Sequence, residues 1–175
     1  MSPRPPPPAR DAPDVVVHPP ILFAVIYAAA FGLQCLWPLT RLSLPRHWPW
    51  QRQWPDGDAV VIEVLGWILV ALGTVYVGAA VWALWRARTG IPTYRPATAL
   101  VTGGIYRLTR NPIYAGAVAG TAGLGLLLDN CWLLVLLVPM IAVLRYGVIA
   151  REEAYLEGKF GQAYRDYRAR VRRRL

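Results

Sequence analysis

Two polar clusters some forty residues apart hold the side chains with which this chain can do chemistry. The first runs from Leu100 to Gly116 as LVTGGIYRLTRNPIYAG and combines glycines, tyrosines and arginines. Asn111 is a good N-cap residue and Pro112 a good first helical residue. The following helix should therefore begin with its unpaired N–H groups and positive dipole end turned into this loop, a setting that suits an anion. Arg110 adds a rigid fork of donors, and the rings of Tyr106 and Tyr114 offer π faces to a cation. The second cluster is Arg151-Glu152-Glu153. Its carboxylates can meet an ammonium or hydroxyl groups, or take up a proton. Arg145 lies inside an apolar run seven residues before Glu152, two α-helical turns away, so both should project from one face. Arg145 and Arg151 are candidates to steer a carboxylate, either that of a glutamate or that of a ligand.

The elements that must bring these clusters together are membrane spans. In 175 residues, 55 % are hydrophobic and the mean hydropathy is positive, more apolar than a soluble domain of this length. Apolar runs cover Ile21 to Trp37, Ala59 to Trp85, Ile113 to Leu128 and Cys131 to Ile149. The last two are separated by Asp129-Asn130 alone and form a helical hairpin. Ala28-Ala29-Ala30 superficially resembles a leader-cleavage site. The run continues past it, and the segment before it is long and proline-rich, so the run reads as a span. Gly116 and Gly120, with Ala119 and Gly123 on an adjacent line, give the third span a small-residue surface for close packing or for a flat ligand.

These runs predict an all-α integral membrane protein with four transmembrane helices and a C-terminal amphipathic cytoplasmic extension. Residues 1–20 read as a disordered proline-rich N-terminus. Residues 21–85 hold two spans joined by an interfacial loop containing Trp48, Trp50 and Trp54, and residues 86–175 form the chemically equipped core. Sixteen of the nineteen lysines and arginines fall on one side of this arrangement, which puts both termini and both clusters in the cytoplasm by the positive-inside rule. The Arg-rich and Ala-rich composition points to a bacterial inner membrane. From Arg151 onward, Leu156, Phe160, Tyr164, Tyr167 and Val171 recur at helical spacing between arginines, and Gly158 and Gly161 should bend this extension once.

The net charge of +9 fits anionic headgroups, not nucleic acid, since no groove-reading module is visible. Cys35 and Cys131 have no metal-site spacing and read as small buried hydrophobes, with no metal expected. His18 and His47 lie outside the apolar runs, which argues against haem ligation between spans. A non-catalytic lipid-binding adaptor would use the same basic loops and tail, but would not need a tyrosine-arginine loop facing a glutamate pair.

Arg110-Asn111-Pro112-Ile113-Tyr114-Ala115-Gly116, followed by Glu152-Glu153-Ala154-Tyr155-Leu156 and then Phe160-Gly161, Tyr164 and Tyr167, resembles the signature of the isoprenylcysteine carboxyl methyltransferase and phospholipid methyltransferase group. Leu100-Val101-Thr102-Gly103-Gly104-Ile105-Tyr106-Arg107 resembles the LVT-x-GPYR stretch of the same group, with Gly104 where proline is common, and Asn111 stands where eukaryotic members have histidine. The likeness covers about residues 85–171. It implies S-adenosylmethionine as cofactor, held by Leu100, Val101, Gly104, Tyr106, Arg110, Asn111, Tyr114 and Gly116 on one side and by Glu152 and Glu153 on the other. It also implies methyl transfer to a lipophilic small-molecule or lipidated acceptor among the membrane lipids. The catalytic candidates are then Arg145, Arg151 and Glu152. The arginines would orient an isoprenylcysteine-like carboxylate, the expected acceptor, whereas Glu152 would serve as base if the acceptor were the amine of phosphatidylethanolamine.

Overall fold

A computed structural model describes residues 12–39, 57–91, 93 and 96–173. The expected Trp-rich interfacial loop and the first eleven residues of the proline-rich N-terminus lie outside the described residues. Five helices follow in order: α1 (Pro19–Leu36), α2 (Gly57–Arg86), α3 (Pro112–Leu127), α4 (Cys131–Phe160) and α5 (Gln162–Arg170). A short 3-10 turn, Gly104–Arg107, precedes α3. No strand occurs among the described residues.

Helix ends follow local chemistry. Proline stands at the first position of α1 and α3, where its missing N–H costs nothing. The Asn130 side chain accepts from Leu133 N at 3.2 Å and caps α4. Gly161, at φ +55, ends α4 and lets α5 turn away, while Gly158 remains inside the helix.

Three helices, α1, α2 over Val60–Arg86, and α4, are long and apolar enough to cross a membrane. The expectation of four spans is corrected to three long ones and a shorter apolar helix. At 16 residues α3 is about 24 Å long, below the ~30 Å of a hydrocarbon core. The 30 residues of α4 reach about 45 Å, so its final turns, which carry Glu152 and Glu153, extend beyond such a core. Large side chains such as Val25, Trp67, Val75 and Val138 are exposed on the helix flanks, as suits lipid contact, and the protein is integral to the membrane. Cys35 is also exposed and Cys131 half-buried, so neither is the buried filler expected of it.

Helices α2 and α3 run antiparallel along a glycine seam. A Cβ placed on Gly73 would lie 2.5 Å from the Gly116 carbonyl oxygen, and one on Gly123 would lie 2.6 Å from that of Gly66. Gly66 and Gly73 thus supply the surface that receives the small-residue line of α3. Helix α1 packs antiparallel to α4: Leu22 joins Met140, Leu144 and Val148 in one cluster, and Trp132 Nε1 donates to the Trp37 carbonyl at 2.8 Å. Tyr27 and Thr121 hydroxyls meet at 2.9 Å to tie α1 to α3.

Within α4, residues Val143–Ile149 widen into a π-helical segment. The expected disorder does not extend to Pro20, because residues 12–18 dock on this segment. Val16 N donates to the Gly147 carbonyl at 3.1 Å, and Arg151 Nη1 donates to the Asp14 carbonyl at 2.6 Å.

Candidate functional site

Because α3 is shorter than its neighbours, a recess remains above its N-terminus, between the end of α2 and the upper part of α4. The loop that follows α2 and the fold-back of α5 turn this recess into a cleft of about 690 Å³, part of it continuous with solvent. Pro112, Ile113 and Tyr114 contribute the α3 end, Leu84 with Thr89, Gly90, Ile91, Ala97, Ala99, Leu100 and Val101 one wall, and Glu152, Glu153 and Leu156 the other. Tyr106, Arg110, Asn111, Tyr164 and Tyr167 complete the lining.

The walls are held by specific bonds. Thr89 Oγ1 accepts from Thr98 N at 2.9 Å and Ala99 N at 3.3 Å, closing the loop on itself. Ala97 N donates to the Tyr155 hydroxyl at 3.2 Å, fastening that loop to α4. Tyr167 donates to the Tyr106 carbonyl at 2.7 Å and fixes α5 over the 3-10 turn. Tyr164 and Tyr167 are buried beneath it with Leu84, Leu156 and Phe160.

The two glutamates, adjacent in sequence, have different partners. Glu152 is buried and accepts from the hydroxyls of Thr93 and Tyr114, the latter at 2.8 Å. The two hydroxyl oxygens are 3.0 Å apart. Each has one proton, so when both donate to the carboxylate the third side of the triangle is a contact only. Glu153 is paired with cations. Arg173 donates from Nε to Oε1 at 3.1 Å and from Nη2 to Oε2, and Arg110 Nη1 stands 3.3 Å from Oε1. That last approach is an ion pair without hydrogen-bond alignment, because Arg110 Nε and Nη1 are both buried without a hydrogen-bond partner. Asn111 Nδ2 is likewise buried and unpartnered.

Burial raises the phenols of Tyr106 and Tyr167 well above the usual tyrosine range. Tyr164 is pushed up to about 12 by burial and then by the Glu153 charge, with Arg110 opposing. All three rings are neutral at physiological pH. The hydrogen bonds to Glu153, reinforced by its charge and opposed by burial, hold the Arg173 guanidinium above its ordinary value.

Leu100, Val101, Tyr106, Arg110, Asn111, Tyr114, Glu152 and Glu153 therefore meet around one cleft. Four expected site residues do not line it. Gly116 packs on the Gly73 carbonyl and Tyr76 in the α2 seam. Gly104 is exposed, and at φ +59 it opens the 3-10 turn. Arg145 has its guanidinium 5.8 Å from the exposed Tyr146 ring. The i→i+5 bonding of the π segment puts more residues into each turn, so seven residues no longer make two turns and Arg145 does not share a face with Glu152. Arg151 is exposed and bonded to Asp14. Asn111 occupies the N-cap position of α3 without a side-chain capping bond, its own N–H donating to Thr109 Oγ1 at 3.2 Å.

Sequence reasoning missed Thr93 and Arg173. Thr93 stands in a loop with no motif of its own. Arg173 sits in an arginine run that reads as a lipid-facing surface.

Comparison with known proteins converges on the same region. The family model described as Phospholipid methyltransferase matches residues 61–163, more than half of the chain. An uncharacterized protein of Haemophilus influenzae is 52% identical over 44 residues, which is 25% of this chain and 67% of that protein. No solved structure matches. Gly104 departs from the proline common at that position of the group, and its positive φ is one that proline cannot adopt. The extent of the match, spanning α3, both glutamates and most of the cleft wall, identifies the chain as a member of the phospholipid methyltransferase family, and hence as a methyltransferase.

Proposed function

We propose that this protein transfers a methyl group from S-adenosylmethionine to the amine headgroup of a membrane lipid, with Glu152 as proton acceptor. The observation that carries this reading is the placement of Glu152 on the cleft wall under two hydroxyl donors, while Arg145 and Arg151, the residues that would orient an anionic acceptor, lie outside. Donors left over at one end suit the cofactor. The unpartnered N–H groups of Arg110 and Asn111 are buried at the cleft and match the carboxylate of its amino-acid portion. The rings of Tyr106 and Tyr114 are suited to a cation.

S-adenosylmethionine supplies an electrophilic methyl carried on a sulfonium. The protein holds donor and acceptor in line, excludes water and receives the proton that an ammonium must lose before its nitrogen can attack. Thr93 and Tyr114 fix the orientation of Glu152 for this step. We read the cleft as cytoplasmic from the clustering of basic residues at its end of the bundle, and the membrane as a bacterial inner membrane from the Arg-rich and Ala-rich composition. An isoprenylcysteine-like carboxylate is the competing acceptor, favoured by the free donors of Arg110 if these serve the acceptor and not the cofactor.

Radiolabelled methyl transfer in nanodiscs containing phosphatidylethanolamine or a prenylcysteine analogue separates the two. Label in the amine lipid is expected, and label only in the prenylcysteine analogue would overturn the acceptor. Calorimetry with S-adenosylhomocysteine tests the cofactor. Wild-type protein should bind it and Arg110→Ala and Glu152→Ala should each weaken it, whereas absence of binding by the wild type refutes the reading.

A further inference from the structure

The turn at Gly161 sends α5 back over the cleft, and Tyr167 pins it to the Tyr106 carbonyl. The chain then leaves α5 in extended form at Val171, and this carries Arg173 to Glu153. Arg173 addresses both carboxylate oxygens of Glu153, as a guanidinium fork does. Arg110 is the second cation at the same carboxylate, and its side chain is only 10% exposed. Two guanidinium groups thus face the single carboxylate of Glu153, an excess of one positive charge at that contact. The excess is accompanied by unused donors, since Arg110 Nε and Nη1 make no hydrogen bond. A buried cation with free N–H groups calls for an anion.

From this arrangement we infer that Arg173 is a positioning residue for an anion-binding subsite: by occupying both oxygens of Glu153 it keeps the Arg110 guanidinium available to a carboxylate on the ligand. Without Arg173, the oxygens of Glu153 are released and Arg110 aligns on them, which neutralises the contact and consumes the donors. The ligand class is a small carboxylate, here the amino-acid carboxylate of the cofactor. The inference thus rests on the proposed use of S-adenosylmethionine and adds to it a contribution from the C-terminal segment, outside the matched family region.

The test uses full-length protein in nanodiscs and two probes that share a nucleoside thioether: S-adenosylhomocysteine, which has the carboxylate, and 5′-methylthioadenosine, which lacks the amino-acid portion. Arg173→Gln should weaken S-adenosylhomocysteine about tenfold, the size of a coupling between neighbouring charged groups, and leave methylthioadenosine unchanged. Arg173→Lys should recover only part of the loss, because one ammonium cannot span both oxygens of Glu153. In the Glu153→Gln background, Arg173→Gln should have no further effect.

Equal weakening of both probes would assign Arg173 a purely structural role and overturn the inference, as would wild-type affinity of Arg173→Gln for S-adenosylhomocysteine. In either case the cofactor reading survives. Failure of the wild type to bind either probe overturns both. Retained methylthioadenosine binding reports that a variant is folded, and Arg173→Lys supplies the comparison if the glutamine variant is not.

Discussion

Gly73→Ala is the sharpest probe of how the bundle supports the cleft. A Cβ at this position would stand 2.5 Å from the Gly116 carbonyl oxygen and 2.7 Å from Gly120 N, both backbone atoms that no rotamer change can move. To reach the 3.4 Å of ordinary contact, the α2–α3 seam must widen by about 0.9 Å. Overpacking of this kind costs about 1 to 3 kcal/mol. Gly→Ala also brings a helix-propensity gain of up to about 1 kcal/mol, so the appropriate control is Gly78→Ala, in the same helix, whose Cβ meets nothing within 4 Å. Both variants carry the propensity gain, and their difference isolates the seam. Unfolding titrations in mixed micelles, followed by circular dichroism, should show Gly73→Ala less stable than Gly78→Ala by about 1 to 3 kcal/mol. The strain should also reach the cleft, because Ala80 and Leu84, two and three turns further along α2, pack with Tyr106 and Tyr167. S-adenosylhomocysteine affinity should therefore fall for Gly73→Ala and not for Gly78→Ala. Equal stability of the two variants would refute the close-approach argument.

Thr93→Val removes one of the two hydroxyl donors to Glu152 and should lower kcat/KM for methyl transfer about 10- to 100-fold, with Thr93→Ser close to wild type; an unimpaired valine variant would remove Thr93 from the site. Arg145→Gln and Arg151→Gln should leave S-adenosylhomocysteine affinity unchanged in calorimetry, since neither side chain lines the cleft, and a loss in both would return them to it. Tyr164 is raised from 10.0 to about 12 in the folded protein, so the stability linked to its proton is present in full below pH 10 and is lost as pH rises through 12. Unfolding midpoints measured across this alkaline window should fall more steeply for wild type than for Tyr164→Phe, and parallel slopes would contradict the burial of that phenol.

The helices were legible because apolar runs and their punctuation agree: Pro112, Asn130 and Gly161 each stand at a helix boundary. The meeting of the Leu100 loop with Glu152 and Glu153 was also legible, through side chains whose types suit one polar ligand. Three features were not. The π segment of α4 leaves no mark in a uniformly apolar stretch, and it undoes the two-turn reasoning that aligned Arg145 with Glu152. Arg151 pairs with Asp14 and Arg173 with Glu153 through contacts between separate elements, where any surface arginine would have read alike. Gly66 and Gly73 are spaced by seven, so the partner of the α3 glycine line does not show the four-residue spacing by which such lines are recognised.

The widened turns of α4 have a consequence for how the helix is phased. A π segment carries extra residues within an otherwise α-helical rod, and everything beyond it is rotated relative to everything before it. The half of α4 before the segment is keyed to α1 through Met140 and Trp132, whereas the polar half is keyed to Thr93 and Arg173. Deleting a single residue between 143 and 149 would turn the glutamate end by about 100° and leave the lipid-embedded end in place. The insertion therefore works as a phase adjuster, letting one continuous helix satisfy two neighbours that demand different faces of it.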